Sequence, residues 1–358
     1  MRPMKTAKIV LKDGTILTGK SFGADTSSAG EVVFNTSMVG YPESFTDPSY
    51  RGQIMVLTSP LIGNYGVPKK EHDEDGIETH FESSQIHIKG LIVNEYSENY
   101  SHWNAEKSLG EWLKENNIPA ITGIDTRKLT QKIREHGTIL GKIIIDDNDT
   151  EFYNPDKDNL VDQVSTKEVK TYKKGPKSIV CVDCGMKNNI LRSLLKRNLT
   201  VHRVPWDYDF VNSELEFDGI FLSNGPGDPA MLKTLHKNVK AAFDLKKPIF
   251  GICLGTQIMA IASGAKTYKL KFGHRSQNQP AIDTETGHCY ITSQNHGFAI
   301  DPKSLGKGWK VWLKNANDET VEGIKHEELP FFSCQFHPEA TPGPTDTMHF
   351  FDLFAEML

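Results

Sequence analysis

The chain has 358 residues, more than one hydrophobic core comfortably serves, so two domains of ordinary size are expected. Its 41 Lys plus Arg against 46 Asp plus Glu give a formal net charge of -5. That balance, with both signs scattered, leaves no electrostatic case for nucleic acid or an anionic membrane as partner. No apolar run approaches the ~20 residues that span a bilayer, and the opening Met1, Arg2, Pro3, Met4 lacks a signal-peptide core. The expectation is a soluble cytoplasmic protein, or one of the mitochondrial matrix if a presequence has been removed.

Residues 8–19 form two extended runs around Asp13-Gly14, which predicts a hairpin. Strand-like runs follow at 31–35, 53–58 and 90–94, with helical spacing over 103–116 and 126–136. Residues 1–150 therefore read as a mixed, β-rich N-terminal domain. Over 151–176 the composition turns to Asp, Asn, Lys and Pro with little to fill a core, and this stretch reads as a linker. Residues 177–358 open with apolar strands at 179–182, 201–204, 219–223 and 248–252, separated by amphipathic helices at 190–196 and 230–245. That rhythm predicts an α/β domain, a mostly parallel sheet with helices on both faces. The end of the chain, 345–358, reads as a helix whose crowded Phe350, Phe351 and Phe354 belong in a core.

The five cysteines, Cys181, Cys184, Cys253, Cys289 and Cys334, are an odd number in a chain too large to need disulfide staples, and are read as reduced thiols. Cys181 and Cys184 form a C-x-x-C, but no second such pair completes a tetrahedral site, and they read as small residues at the end of a buried strand.

Cys253 differs from the others. It stands in Gly251-x-Cys253-x-Gly255, where the strand at 248–252 runs straight into an apolar helix. Flanking glycines permit the sharp turn that lifts the middle side chain into a crevice, as in the nucleophile elbow of serine hydrolases with sulfur in place of oxygen. A helix N-terminus there favours the thiolate, so Cys253 is the candidate nucleophile. The plain alternative is a small buried residue in tight packing.

A base is supplied by His337. Residues 329–336 read as a strand that ends in His337-Pro338-Glu339, and continuing its period of two would place His337 and Glu339 on one side, the carboxylate orienting the imidazole. Taken alone, both residues would pass for solvated surface groups. The third requirement, donors for an oxyanion, has a candidate in Asn224-Gly225-Pro226-Gly227-Asp228-Pro229, a glycine loop able to present backbone N–H groups, though a plain turn explains it as well.

With these pieces in order, the second half resembles a class I glutamine amidotransferase domain of flavodoxin-like fold, and the whole chain resembles the small, glutamine-hydrolysing subunit of carbamoyl-phosphate synthetase. The segments Ser223 to Pro229, Gly251 to Gln257, Ser293 to Phe298 and Phe336 to Pro344 carry the first likeness. The second is carried by Phe34 to Glu43, Thr46 to Tyr50, Pro60 to Gly66 and Gly123 to Arg127. The resemblance implies Cys253 as nucleophile, His337 as acid and base, Glu339 as its orienter, and the backbone N–H groups of Leu254 and Gly225 as oxyanion donors. It implies glutamine contacts at Ser37, Gly225, Gly227, Leu254, Gln257, Asn295, Gly297 and Phe298. It further implies L-glutamine as substrate and a large synthetase subunit or fused synthetase domain as partner, which the N-terminal domain would help to dock. ATP and magnesium are expected only on that partner. No P-loop spacing is present, since Ser263 to Thr267 fits it poorly, and neither a cofactor nor a metal is expected in this chain. Many relatives have His where this chain has Thr256, which puts the rate and glutamine affinity in question. Two rivals follow: a docking or regulatory subunit with weak glutaminase activity, hinted at only by Thr256, and a class I glutaminase of another synthetase, which would lack the N-terminal segments.

Overall fold

The computed structural model describes residues 5–358, so Met1 to Met4, part of the stretch read for a signal peptide, lie outside the described residues. Internal contacts divide the chain into two units, Met1–Asp158 and Asn159–Leu358. No helix among the described residues is long and apolar enough to cross a membrane.

The first unit is built on a closed barrel of seven strands. In barrel order they are Thr6–Leu11, Ile139–Ile145, Ser28–Asn35, Gln53–Leu57, Gly90–Ile92, Ala120–Thr122 and Ile16–Ser21, which pairs back onto the first. Asp13-Gly14 does turn a hairpin: Val10 pairs with Ile16, Gly14 takes a φ of 87°, and the Asp13 carboxylate accepts from Thr15 N at 3.0 Å. Closure leaves the barrel no open edge and buries Ile9, Val32, Ile54, Ile92, Ile121 and Ile143. The helix expected over 103–116 is shorter, Leu109–Glu115. Ser108 starts it with a capping box, its hydroxyl accepting from Glu111 N at 3.2 Å while Glu111 Oε2 accepts from Ser108 N at 2.9 Å. The preceding Ala105–Lys107 is extended and pairs with Val67–Pro68.

The stretch read as a linker holds ordered elements. Its Asn residues are caps: Asn154 accepts from Asp156 N, and Asn159 from Asp162 N at the head of the helix Leu160–Val164. Val161 joins the core of the second unit, and Lys170–Tyr172 pairs with Leu199–Pro205 as an edge strand. Short polar caps made this segment look structureless by composition alone.

The second unit carries a ten-stranded sheet. Five strands run parallel in the spatial order Leu199–Pro205, Lys177–Asp183, Gly219–Leu222, Ile249–Ile252, Phe331–Cys334. Numbered by sequence this is 2-1-3-4-5, the flavodoxin-like order. Beyond them the antiparallel strands Val321–His326, Trp309–Asn315, Thr267–Asp283 and Cys289–Ile300 extend the sheet, which is mixed rather than mostly parallel.

Strand alternation sorts the core. Ile220, Leu222 and Ile249 pack on one face with Leu254, Ile258 and Met259 of the helix Leu254–Ala262. Phe221 and Phe250 point the other way, onto Phe351 and Phe354 of the C-terminal helix His349–Glu356. At the carboxyl ends of four adjacent parallel strands lie Cys184 to Lys187, Ser223 to Asp228, Cys253, and Gln335 to Glu339, the position at which open α/β sheets carry their sites.

Candidate active site

Cys253 occupies the junction between Ile249–Ile252 and Leu254–Ala262 with φ 53° and ψ -105°, a conformation that a non-glycine residue rarely holds. Its flanking glycines are required by contact rather than by torsion. A Cβ on Gly255 would lie 2.2 Å from Leu222 O, and one on Gly251 2.7 Å from Met259 Sδ. The backbone is anchored by Cys253 N donating to Cys334 O at 2.9 Å. Thr256, fully buried, donates its hydroxyl to the same carbonyl at 2.6 Å and reaches Gly251 O at 3.2 Å. The threonine thus braces the elbow from within, a role its small hydroxyl fills through the backbone.

Cys253 Sγ is buried and donates to Asn295 O at 3.6 Å. His337 is equally enclosed, and its Nδ1 meets Glu339 Oε1 at 2.7 Å. The expected mechanism of that meeting needs correcting. The strand ends at Cys334, and Pro338, which has no N–H to give a ladder, sits in a turn closed by Ala340 N donating to His337 O at 3.1 Å. The turn, not a continued strand, brings the two side chains together. His337 N is itself fixed by Ser293 O at 2.9 Å, and its Nε2 is buried on the side of the ring away from Glu339.

Burial alone lowers an imidazole's pKa, but the Glu339 carboxylate, helped by the sulfur of Cys253, outweighs it and holds His337 well above its ordinary value. The sulfur's influence on the ring requires the two to be neighbours. Glu339 shows the mirror image: burial would raise its pKa, but Lys187 and then His337 hold it below the ordinary carboxylate range. Both shifts favour the charged forms of ring and carboxylate.

Lys187 is the residue that the sequence did not reveal. Its Nζ lies 2.9 Å from Glu339 Oε1 and donates to Ala340 O at 2.6 Å, with only 3% of the side chain exposed. The loop that carries it is organised by Asp183, fully buried, which accepts from Gly185 N, Met186 N and Thr166 N at 2.8 Å each and from Arg203 Nη2 at 2.6 Å. Asn189 Nδ2 donates to Glu339 O from the next turn. The only signal for Lys187 in the sequence was its place just past the end of a central parallel strand.

Gly225 presses against the elbow. A Cβ there would lie 2.1 Å from Cys184 O and 2.9 Å from Leu254 Cδ2, so the two expected oxyanion donors share one neighbourhood and Gly225 admits no side chain. Asp228 also serves the plain turn, accepting from Ala230 N at 2.9 Å. Gln257 spends its Nε2 on Phe298 O and Gln335 Oε1, both at 3.0 Å, which ties the elbow helix to the strand carrying Asn295 and Gly297. Gly227, with φ 88°, has the Leu160 side chain as its nearest neighbour. Ser37 stands in the first unit, its N–H donating to Asn35 Oδ1 at 2.7 Å. Cys181 and Cys184 are fully buried, which pushes both thiols up, and Cys181 Sγ contacts Met186 Sδ at 3.3 Å.

The geometry offers a strained cysteine, a protonated imidazole steadied by a buried carboxylate, and a glycine loop beside the nucleophile, which together suit acyl transfer. Comparison with known proteins points the same way. Residues 180–357 match the family described as glutamine amidotransferase class-I, and residues 9–143 match carbamoyl-phosphate synthase small chain, CPSase domain. The chain is 54% identical to the multifunctional protein CAD of Squalus acanthias over 98% of its own length, and 51% identical to the multifunctional protein pyr1-3 of Dictyostelium discoideum, also over 98%. It is 51% identical over 99% of its length to the mitochondrial carbamoyl-phosphate synthase [ammonia] of Homo sapiens. It spans 16%, 17% and 24% of those three relatives respectively.

Proposed function

Because the chain belongs to the carbamoyl-phosphate synthase small-chain family, with a class-I glutamine amidotransferase half, we propose that it hydrolyses glutamine to glutamate and ammonia and passes the ammonia to a synthetase large subunit or fused domain. The observation that carries this reading is the buried line of Cys253, His337, Glu339 and Lys187 at the carboxyl ends of parallel strands.

Cys253, its thiol proton transferred to His337, attacks the side-chain amide carbon of glutamine as the thiolate, and the tetrahedral oxyanion is received by the N–H groups of Leu254 and Gly225. The proton held on His337 goes to the departing nitrogen, which leaves as ammonia. His337, then neutral, takes a proton from water as that water cleaves the glutamyl thioester, and the imidazolium is restored. Glu339 keeps the ring oriented throughout and stabilises its charged form. Glutamine contacts are assigned to Gly227, Gln257, Asn295, Gly297 and Phe298 beside the donors. ATP and magnesium belong to the synthetase partner in this reading.

Exposure of the chain to a chloroketone analogue of glutamine, followed by peptide mass spectrometry, tests the proposal. The label is expected on Cys253 alone, with protection by glutamine; a label spread over other cysteines, unaffected by glutamine, would refute it.

A further inference from the structure

A second cluster lies in the antiparallel half of the sheet, where His274 of Thr267–Asp283, His296 of Cys289–Ile300 and Glu322 of Val321–His326 converge. All three side chains are buried, and one ligating atom from each lies within 4.8 Å of the other two. His274 Nδ1 is 3.3 Å from His296 Nε2 and 3.7 Å from Glu322 Oε1. A tetrahedral ion with metal–nitrogen bonds of about 2.0 Å sets its ligand atoms about 3.3 Å apart.

The outer nitrogen of each imidazole is already committed. His274 Nε2 meets Asp318 Oδ2 at 2.9 Å, and His296 Nδ1 meets Phe298 O at 2.8 Å. A carboxylate or carbonyl in that place fixes the tautomer that turns a lone pair inward, as the outer shell of a metal site does. Phe298 O can only accept, so it takes the single proton of a neutral His296. The bare Nε2 of His296 then faces Gln294 Oε1 at 3.1 Å, oxygen against lone pair. Close by, Glu322 Oε2 is buried with no hydrogen-bond partner among the described residues, while Oε1 accepts from Asn315 Nδ2 at 3.1 Å. A cation would satisfy the facing lone pairs and the buried carboxylate together.

We infer that His274 Nδ1, His296 Nε2 and Glu322, with Gln294 Oε1 as fourth donor, form a structural site for a divalent transition metal of the zinc class. Two imidazoles with two oxygens suit zinc or cobalt better than calcium or magnesium, which prefer all-oxygen shells. The site departs from the sequence-based expectation of no metal in this chain. Solvent reaches its outer end, since 43% of the Asp318 side chain is exposed. The ion would pin three strands, one of which carries Asn295, whose carbonyl contacts Cys253 Sγ.

The test uses the full chain with Cys253→Ala, so that the active-site thiol cannot itself take up metal. Stripped protein is titrated with Co2+ and then Zn2+. One equivalent of Co2+ with the intense visible absorption of a tetrahedral site is expected, displaced by Zn2+, and Zn2+ should raise the unfolding temperature. His274→Gln and Glu322→Gln, each placed in that background and checked for native circular dichroism, should weaken binding by more than the roughly 10- to 100-fold that loss of an outer-shell partner costs. Should either variant fail to fold, X-ray absorption of the zinc-loaded parent decides, with two imidazoles and no sulfur expected. Absence of a cobalt spectrum, sulfur ligation, or undiminished affinity in both folded variants would overturn the inference and leave a proton shared between His274 and His296 as the occupant.

Discussion

At the scale of single residues, Glu339 does the most with least exposure. It sits between Lys187 and His337, both of which meet its Oε1. Removing its charge while keeping its shape, as in Glu339→Gln, should lower kcat by about 100- to 10,000-fold with little change in KM, because the imidazolium loses its partner but the pocket keeps its form. Steady-state kinetics check this, and an unchanged kcat would show that the carboxylate is structural only. The same pair sets a pH signature. Glu339 is held below its ordinary 4.5, so its stabilising contribution is complete above that pH and is lost as pH falls through the lowered value. His337 is held above its ordinary 6.5, so its contribution is complete below that pH and declines as pH rises toward the raised value. The stability difference between the wild type and Glu339→Gln should therefore be largest between pH 4.5 and 6.5, and calorimetry across pH 3 to 9 measures it.

Thr256 belongs to this scale too. Because its hydroxyl is turned onto Cys334 O and Gly251 O, Thr256→Val should cost about 1–2 kcal/mol of stability, while Thr256→Ser should cost less. Denaturant titration of the two variants distinguishes a brace from a bystander. Among the residues of the candidate site, Cys253, His337 and Glu339 could be nominated from the sequence because Gly-x-Cys-x-Gly and His-Pro-Glu are chemically loaded at short spacing. Lys187 was not: its partner lies 152 positions away, and a single lysine in sequence carries no mark of burial.

At the scale of elements, the elbow depends on backbones passing closer than any side chain permits. Gly255→Ala would set a Cβ 2.2 Å from Leu222 O, and the strand, with no flexible end to move, must shift. We expect a loss of about 2–3 kcal/mol, measurable by thermal unfolding, together with reduced glutaminase activity as the thiol is displaced. Elements were read well where periodicity or punctuation was strong, as in the Asp13-Gly14 hairpin and the helix Thr126–His136, capped by Asp125 and stopped by Gly137. They were read poorly where capping and pairing compete with spacing. Ser108 delays one helix past its apolar pattern, and Asn154 and Asn159 make order out of a polar stretch. The antiparallel strands from Thr267 onward pair largely as hairpins, but escaped notice because their faces carry buried polar side chains such as His274 and Gln294 that break the apolar alternation.

At the scale of the whole molecule, a barrel-based unit and a mixed-sheet unit occur in one chain, each with its own core, and the two family matches divide between them. The chain spans a quarter or less of those relatives, and under the proposed function the ammonia it releases needs a consumer at hand. Glutaminase turnover should therefore rise when a matching synthetase domain is added with ATP and bicarbonate, and carbamoyl phosphate should form from glutamine only in the mixture. The central claim, acyl transfer through Cys253, is tested most directly by quenching the chain with acid during turnover of isotopically labelled glutamine and reading the intact mass. The account predicts a glutamyl adduct localised to the Cys253 peptide, absent in Cys253→Ala along with all glutamate formation. Glutamate produced at an undiminished rate by Cys253→Ala, with no adduct in the wild type, would contradict it.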